Sequence, residues 1–295
     1  MYEGITGFVE GTAPFIRTAV DAREPVMVAV SPVKIGRLRE ALGSAADAVT
    51  FADMEELGRN PGRIIPAWQA FLAEHDGAPA ARGIGEPIWR ERTDDELVEC
   101  QLHEALLNVA FADTAGFRLL CPYDASSLDE AVLYEARCSH PEIYGAGASE
   151  AYRDGDDLLA PFALPLPPPR GETRTLGFDR HGLDGVRRAV EHRAAQAGLP
   201  PARTQDLVLA ANELATNSVR HGGGNGVLRM WEEGGCLVSE ISDRGRIDDP
   251  LVGRRQPGRE QIGGWGVWIA HQACDLVQVR TSRHGTAARL FMQLR

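Results

Sequence analysis

The 295-residue chain is predicted to be an α/β protein of two domains, and three features of the sequence carry that prediction. Strand-like and helix-like patterns alternate as far as about residue 160, which is typical of a mostly parallel sheet. Five prolines then fall within residues 161–172, a composition typical of a stiff, extended linker. Helical patterns and paired strand-like runs fill the remainder, which predicts an α/β sandwich with helices on one face of a mixed sheet. We therefore expect domains at 1–160 and 173–295.

The elements of the first domain follow from the spacing of its apolar residues. Apolar runs predict strands at 25–30, 48–51 and 117–121, and a strand or loop at 82–89. Helical spacing predicts helices at 33–42, 63–75 and 96–111. The first strand-to-helix turn, SPVK at 31–34, lacks the glycines that let backbone amides wrap a phosphate. We therefore predict no nucleotide site in this domain.

Four strings in this half of the chain carry a family resemblance: GRNPGRIIPAW at 58–68, RGIGEPIW at 82–89, HEALLN at 103–108 and CPYD at 121–124. They resemble the MEDS domain, a sensory domain of methanogen and methylotroph regulators. The resemblance covers about residues 5–160. It implies an input domain for a small-molecule ligand, for which hydrocarbon derivatives have been suggested, and it implies no particular chemistry.

Cysteine and histidine residues of the first domain raise the question of a metal site. The pairs Cys100/His103 and Cys138/His140, together with Cys121, have spacings that could supply zinc ligands. Buried core cysteines and a histidine on a helix face explain the same pattern and are favoured, because free cysteine is among the most buried residue types. The chain has five scattered cysteines without a CxxC motif, which indicates reduced thiols.

Charge and hydropathy exclude several classes of partner. The net charge is −11, and residues 1–172 carry 14 basic and 29 acidic side chains, which argues against a direct nucleic-acid partner. Residues 173–295 carry 17 basic and 13 acidic side chains, which suits a polyphosphate ligand. The sequence contains no apolar run of membrane-helix length and no basic signal-peptide region at its start, so we expect a cytoplasmic protein without a membrane partner.

The second domain is predicted to begin with two helices. The first covers 183–198, and the second is capped by Thr204 and ends before Gly222, which suits a residue just past a helix end. Runs at 227–232 and 236–242 flank Glu233-Gly-Gly, which predicts a hairpin. A charged, Gly- and Pro-containing segment at 246–262 is predicted to be a mobile lid. A short helix at 267–273 and a final strand pair, 276–281 with 287–294, complete the domain.

The second helix carries the string NELATNSVRHG at 212–222, which places Glu213 and Asn217 on one helix face. Three further motifs follow in order: ISDRG at 241–245, GGWGVWI at 263–269 and Gly285-Thr286. Solvated helix residues and plain turns explain each motif singly. Four motifs in this order and at sensible spacing are a much stronger signal.

This order of motifs resembles the ATP-binding domain of the gyrase, Hsp90, histidine kinase and MutL (GHKL, or Bergerat) superfamily. The ELATNSVRHG string and the short domain resemble most closely the anti-sigma factor serine/threonine kinases, over residues 173–295. The resemblance implies ATP and Mg²⁺ as cofactors and Glu213 as the catalytic base. The implied ATP-binding residues are Asn217, which also binds the metal, His221, Asp243, Gly245, Gly263, Gly264, Gly266 and Thr286.

One position departs from the pattern of that superfamily. Related sites read D-x-G-x-G, whereas here Arg246 follows Asp243-Arg-Gly245 in place of the second glycine. ATP binding is still expected, but the departure puts the catalytic rate in doubt.

The resemblance implies a switch kinase that holds a sigma factor and phosphorylates a serine of a STAS-type anti-sigma factor antagonist. Kinases of this type often form homodimers. Two alternatives stay open. A sensor histidine kinase needs a helical dimerisation hairpin with a phospho-accepting histidine before the ATP domain. A nucleotide-gated binding protein would have the same site without kinase activity.

Overall fold

The computed structural model describes residues 1–258 and 264–294. The chain divides into two compact units, Met1–Leu159 and Ala160–Arg295. The predicted ATP-binding residue Gly263 lies outside the described residues.

The first unit is a parallel sheet with helices around it. Its helices are α1 (Gly4–Asp21), α2 (Pro32–Leu42), α3 (Met54–Leu57), α4 (Ile64–Glu74), α5 (Asp94–Ala110), α6 (Glu130–Ser139) and α7 (Gly155–Leu159). Its strands are β1 (Val26–Val30), β2 (Val49–Asp53), β3 (Ala81–Gly85), β4 (Phe117–Leu120), β5 (Glu142–Ile143) and β6 (Gly147–Ala148). Strands β2-β1-β3-β4 pair in that order and in parallel, and β5 and β6 form a separate antiparallel pair. The predicted mostly parallel sheet is confirmed.

Local sequence explains why the predicted elements of this unit form. All five residues of β1 are buried, as expected for a central strand covered on both faces. Thr93 and Glu96 form a reciprocal capping box at the start of α5.

Helices α1 and α6 were not among the predicted elements. The glycines and Pro14 within α1 obscure its pattern, and the helix is held by the burial of side chains such as Phe8 and Ile16.

The second unit packs its helices on one face of a five-stranded sheet. Its helices are α8 (Leu183–Gln196), α9 (Pro201–His221) and α10 (Trp265–Ala273). Its strands are β7 (Arg174–Asp179), β8 (Asn225–Glu233), β9 (Cys236–Asp243), β10 (Leu276–Ser282) and β11 (Gly285–Gln293). Side chains from all three helices, including Val186, Leu207 and Val267, share one core with Leu228 and Leu290 of the sheet.

The sheet of the second unit is antiparallel at every described pairing, in the order β10-β11-β9-β8-β7. The prediction of a mixed sheet is therefore wrong. Helix α10 carries the chain from β9 to β10, but β11 then returns between them and runs antiparallel to both. The two predicted hairpins are confirmed, and Gly234 and Gly235 supply the positive φ angles of 59° and 77° that a two-residue turn favours.

Two details at the start of this unit were predicted differently. Helix α9 begins at Pro201, so Thr204 lies inside the first turn instead of capping it. Proline suits that first position because its missing N–H would have no intrahelical partner. Strand β7 was missed because it lies at the sheet edge, where only Phe178 is buried and the alternating pattern is weak.

The proline-rich segment lies within the second unit and contacts the face of the sheet opposite the helices. Arg289 donates from Nη2 to the carbonyl of Pro167, and Arg170 Nε lies 3.6 Å from Glu233 Oε1. Arg289 also pairs through Nε with the buried Glu240 at 2.6 Å. The segment therefore supplies an acceptor to a buried arginine of the sheet.

These contacts predict that a fragment of residues 160–295 is more stable than one of residues 173–295. The shorter fragment removes the Pro167 acceptor from Arg289, and an unmade bond at a buried charged group costs about 1–3 kcal/mol. We expect the thermal midpoint, followed by circular dichroism, to fall by several degrees in the shorter fragment. Equal midpoints would show that the proline-rich segment adds nothing to the unit.

No helix among residues 1–258 and 264–294 combines the length and the apolar character needed to cross a membrane.

Candidate functional site

Helix α9 carries two polar side chains on the face turned toward α10. Glu213 and Asn217 lie one helical turn apart, and both are half-buried. A Cβ atom added to Gly266, in the first turn of α10, would lie 2.5 Å from Asn217 Nδ2 and 3.4 Å from Glu213 Cβ. Glycine at position 266 therefore allows α10 to approach the two side chains closely. The sequence-predicted pair and this glycine form one cluster.

Asp243 is the last residue of β9, and two hydrogen bonds fix its carboxylate. Ser218 Oγ donates to Oδ2 at 2.6 Å, and the backbone N–H of Gly245 donates to Oδ1 at 2.7 Å. Each oxygen keeps a further lone pair. The half-buried carboxylate can therefore accept a hydrogen bond from an amine of a ligand while its orientation stays fixed.

Two glycines allow the end of α9 to contact Asp243. A Cβ at Gly222 would lie 2.3 Å from Asp243 Cγ, and a Cβ at Gly245 would lie 2.7 Å from the carbonyl oxygen of His221. Gly222 has a φ of −95°, so its role is not the left-handed conformation expected of a residue just past a helix end. Glycine is needed at 222 because any side chain would collide with the carboxylate.

Thr286 lies beside this group at the start of β11. It is the antiparallel partner of Asp243, and its Oγ1 donates to the carbonyl of Gly245 at 2.9 Å. Thr281 Oγ1 lies 3.1 Å from the same hydroxyl. The preceding residue, Gly285, has a φ of 125° and packs against the backbone of Asp243, which explains the Gly-Thr pair.

The start of α10 can offer backbone donors to an anion. Gly264 precedes the helix in the left-handed conformation, with a φ of 83°, and Trp265 is the first helical residue. The first N–H groups of a helix have no intrahelical partner and favour negative charge. They lie on the side of the site where Asn217 approaches Gly266.

The structure thus brings most of the predicted residues into two adjoining clusters on α9. The first cluster consists of Glu213, Asn217 and Gly266. The second consists of Asp243, Gly245 and Thr286. Ser218, the neighbour of Asn217 on α9, joins them by its hydrogen bond to Asp243. His221 is different, since its side chain is exposed and only its backbone contacts Gly245.

Sequence reasoning missed Ser218 as a partner of Asp243. Ser218 lies on the buried face of α9, with 1% of its surface exposed. A hydroxyl on an otherwise small and apolar stripe was the available signal, because a buried hydroxyl needs a hydrogen-bond partner.

Arg246, the departure from the superfamily pattern, is directed to solvent. Its side chain is 65% exposed, and Nη2 lies 3.6 Å from Asp248 Oδ1. The segment that follows, predicted to be a mobile lid, has buried residues in its described part: Leu251 is 2% exposed, and Gly253 packs against Val267. This part of the segment is therefore anchored on the core of the unit.

We expect Asp243→Asn to weaken ATP binding by roughly 5- to 150-fold, equivalent to about 1–3 kcal/mol for a hydrogen bond left unmade. The amide keeps the shape of the side chain but replaces one acceptor with a donor. Isothermal titration calorimetry measures the effect. Asp206→Asn is the matched control, because Asp206 pairs with Arg203 near the other end of α9. Equal affinities of Asp243→Asn and wild type would rule out Asp243 as an ATP-binding residue.

In the first unit, the SPVK turn at 31–34 contains Lys34, whose ammonium group contacts two side chains of the same unit. Lys34 Nζ donates to Tyr2 Oη at 2.7 Å and to Glu86 Oε2 at 2.6 Å. Burial, followed by the Glu86 carboxylate, raises the pKa of Tyr2, so the phenol stays protonated. Lys34 is therefore occupied by a buried carboxylate and a phenol.

The residues considered for zinc are only partly assembled. Cys121 and His140 approach each other together with Glu104, a residue that the sequence analysis did not select. Cys100 is buried and its thiol donates to the carbonyl of Pro87 at 3.4 Å, and Cys138 is buried in α6. Neither of the two Cys/His pairs considered from the sequence therefore supplies both of its members to the group of possible metal ligands.

Comparisons with known proteins agree with this division of the chain. Residues 1–141 match the family described as MEDS, the methanogen/methylotroph, DcmR sensory domain, and residues 179–292 match the histidine kinase-like ATPase domain. A search of curated proteins finds no match.

Among solved structures, the chain resembles the crystal structure of the RsbU and RsbW domains of Rv1364c from Mycobacterium tuberculosis. The identity is 20% and the TM-score 0.32, and the match covers 42% of this chain and 32% of that chain. The match thus spans about a third of that relative's length.

The two family matches fall on the two compact units, and the predicted resemblances are confirmed. The fold class is also as predicted, a parallel α/β unit followed by a GHKL-type sandwich. An ATPase domain implies that the second unit binds ATP. Residues 1–141 are therefore a MEDS sensory domain and residues 179–292 a histidine kinase-like ATPase domain.

Proposed function

We propose that this chain is an anti-sigma regulatory serine kinase that binds Mg-ATP, sequesters a sigma factor and phosphorylates a serine of an anti-sigma factor antagonist. The observation that carries the proposal is the pair Glu213 and Asn217, on one face of α9 and against the start of α10. The fixed carboxylate of Asp243 adjoins them through Ser218. The residues that we propose as base, metal ligand and adenine acceptor are thus neighbours.

In this proposal the nucleotide lies between the end of β9 and the start of α10. Asp243 accepts a hydrogen bond from the exocyclic amine of adenine, and Gly245 lets the base approach the backbone. Thr286 supports that loop by donating to the Gly245 carbonyl, and its assigned role is a bond to adenine or to an ordered water. The glycines 264 and 266 leave the first amides of α10 open to the phosphates.

The residues present fit a magnesium ion bound with the nucleotide. Asn217 offers a neutral amide oxygen, a donor type that magnesium accepts alongside waters and phosphate oxygens. The absence of a side chain at Gly266 leaves room for the amide head, which a Cβ there would contact at 2.5 Å. Bound Mg²⁺ would neutralise charge on the β- and γ-phosphates. Asn217 would hold that ion at the phosphate end of the site.

In the transfer step, Glu213 acts on the proton of the serine hydroxyl. As the serine oxygen of the antagonist forms its bond to the γ-phosphorus, Glu213 accepts the hydroxyl proton. The bond from the γ-phosphorus to the bridging oxygen breaks, and ADP leaves with that oxygen. Glu213 is half-buried on the same face as Asn217, and this position beside the proposed metal ligand supports its assignment as the base.

The structure of the segment before α9 supports a serine kinase over a sensor histidine kinase. The segment before α9, residues 160–200, is described throughout and contains β7 and α8. Helix α8 buries Val186, Val190 and Ala194 in the core of the ATPase unit, so it is part of that sandwich. A dimerisation hairpin with a phospho-accepting histidine is therefore not formed by these residues.

The proposal is tested by identifying the partners and then assaying transfer. A pull-down with the full chain, read by mass spectrometry, is expected to recover a sigma factor and a STAS-type protein. The purified STAS-type protein is then incubated with the full chain, [γ-³²P]ATP and Mg²⁺. Label on a serine supports the kinase. Steady ATP binding without transfer would favour the alternative of a nucleotide-gated binding protein.

A further inference from the structure

A group of three potential metal ligands lies in the first unit. Glu104 is on α5, Cys121 follows β4 directly, and His140 follows α6 directly. One carboxylate oxygen, the Cys121 sulfur and one imidazole nitrogen all lie within 4.8 Å of one another. Three elements distant in sequence therefore converge on a point.

The Glu104 carboxylate lacks the partners that a buried charge requires. The residue is 1% exposed, and neither oxygen accepts a hydrogen bond of normal geometry from the described residues. Its contacts are with His140 Nε2, 3.2 Å from Oε2, and with the Cys121 thiol. Burying a carboxylate without compensation is costly, so a proton or a metal ion shared with these neighbours would stabilise the group.

The orientation of His140 shows which of its nitrogens faces the carboxylate. Nδ1 lies 2.7 Å from the carbonyl oxygen of Ala136, four residues earlier, so Nδ1 carries a proton and donates it there. In the neutral ring, Nε2 then holds a lone pair directed at Glu104. Two lone pairs at this distance repel unless a proton or a metal ion lies between them. A backbone acceptor on the far nitrogen is also the usual support of a metal-binding histidine.

Cys121 distinguishes a metal ion from a shared proton. A proton needs only the carboxylate and the imidazole, whereas this site places a sulfur beside both. Ligands at zinc distances of 2.0–2.3 Å in a tetrahedron are about 3.3–3.6 Å apart, close to the observed contact between Glu104 and His140. A carboxylate, a thiolate and Zn²⁺ also sum to zero charge, which suits a buried site.

We propose that Glu104, Cys121 and His140 bind a zinc ion through a carboxylate oxygen, Sγ and Nε2. Binding displaces the thiol proton of Cys121 to solvent. Three protein ligands leave the fourth tetrahedral position open to water or to a small ligand, as in zinc sites that exchange a ligand. The sensory unit would thus contain a metal centre with an exchangeable position.

The test uses the full chain, stripped of metal and assayed without ATP or Mg²⁺. Titration with Zn²⁺ against a chelating dye is expected to show one ion per chain. Glu104→Gln, Cys121→Ser and His140→Ala are each expected to weaken zinc binding at least about tenfold, since even residues that only orient a ligand contribute 10–100-fold. Co²⁺ serves as a spectroscopic probe, because a thiolate-to-cobalt band reports the Cys121 bond directly.

Two variants serve as matched controls. His75 ends α4 with Nδ1 2.8 Å from the carbonyl of Phe71, the same local contact that His140 makes, and Cys236 is a half-buried cysteine of the second unit. His75→Ala and Cys236→Ser are expected to keep wild-type zinc affinity. Loss of affinity in either control equal to that in the site variants would overturn the assignment.

Circular dichroism reveals whether each site variant folds. If a variant does not fold, metal binding by the wild-type chain tests the proposal. A thiolate-to-cobalt band at one equivalent of Co²⁺ is the expected result. Absence of that band, or of stoichiometric zinc, would overturn the proposal. Glu104 and His140 would then form a buried ion pair that shares a proton.

Discussion

Glu213→Gln is expected to reduce phosphate transfer to the antagonist by about 10²–10⁴-fold, the usual contribution of a general base. Glutamine keeps the shape of the side chain on α9 but cannot accept the serine proton. ATP affinity should change little, because adenine and phosphates are held by Asp243 and by the start of α10 in our proposal. Single-turnover transfer of ³²P measures the rate, and calorimetry measures the affinity.

Glu191→Gln is the matched control for this experiment. Glu191 is an exposed glutamate on α8, so its substitution removes the same charge from the same unit without touching the site. It is expected to transfer at the wild-type rate. If Glu213→Gln also transfers at that rate, the base is another group, and Glu213 would more simply orient a water on the metal.

Asn217→Ala is expected to lose Mg²⁺-dependent ATP affinity and phosphate transfer together. The amide oxygen would be one of few protein ligands to the ion, so we expect at least about a tenfold loss of affinity, by comparison with the 10–100-fold effects of groups that only orient metal ligands. Calorimetry with ATP in Mg²⁺ and in EDTA measures the effect. The affinity in EDTA should be nearly unchanged.

The same helix offers a control for Asn217. Asn212 lies five residues earlier and accepts a hydrogen bond from Arg187 of α8 at 2.8 Å, on a different face of α9. Asn212→Ala should therefore keep Mg²⁺-dependent affinity. If Asn217→Ala binds Mg-ATP as wild type does, the ion is held elsewhere and the assignment of Asn217 is wrong.

The two variants together separate a kinase from a nucleotide-gated binder. A kinase requires Glu213→Gln to affect the rate selectively and Asn217→Ala to affect both affinity and rate. A binder without transfer activity would show the affinity effect of Asn217→Ala alone. The side chain of Arg246 is 65% exposed and lies 3.6 Å from Asp248, which weakens the objection to activity that its departure from the superfamily pattern raised.

Periodicity and motif order were sufficient for the broad plan of this chain. Alternation predicted the parallel sheet around β1, and four ordered motifs on α9, β9, α10 and β11 predicted the ATPase unit. These features are local or follow chain order, so the sequence carries them directly. The sites of the hairpin turns were predicted for the same reason, since Gly234 and Gly235 are needed for their positive φ angles.

Long-range pairing could not be predicted in the same way. The position of β11 between β10 and β9 makes the second sheet antiparallel, and it depends on which edges meet in space. Helix α1 and edge strand β7 were missed because their own patterns are weak and packing against the rest of the unit supports them.

The sequence by itself determined that Glu213 and Asn217 share a helix face, because their spacing is one turn of α9. It also determined that Gly245 lies two residues after Asp243. Only the tertiary structure decided why Gly222 is glycine, since the collision with Asp243 joins residues 21 positions apart. It likewise selected Ser218 as the partner of Asp243, and Glu104 as the neighbour of Cys121 and His140. Such contacts arise from the packing of separate elements, and residue spacing along the chain does not encode them.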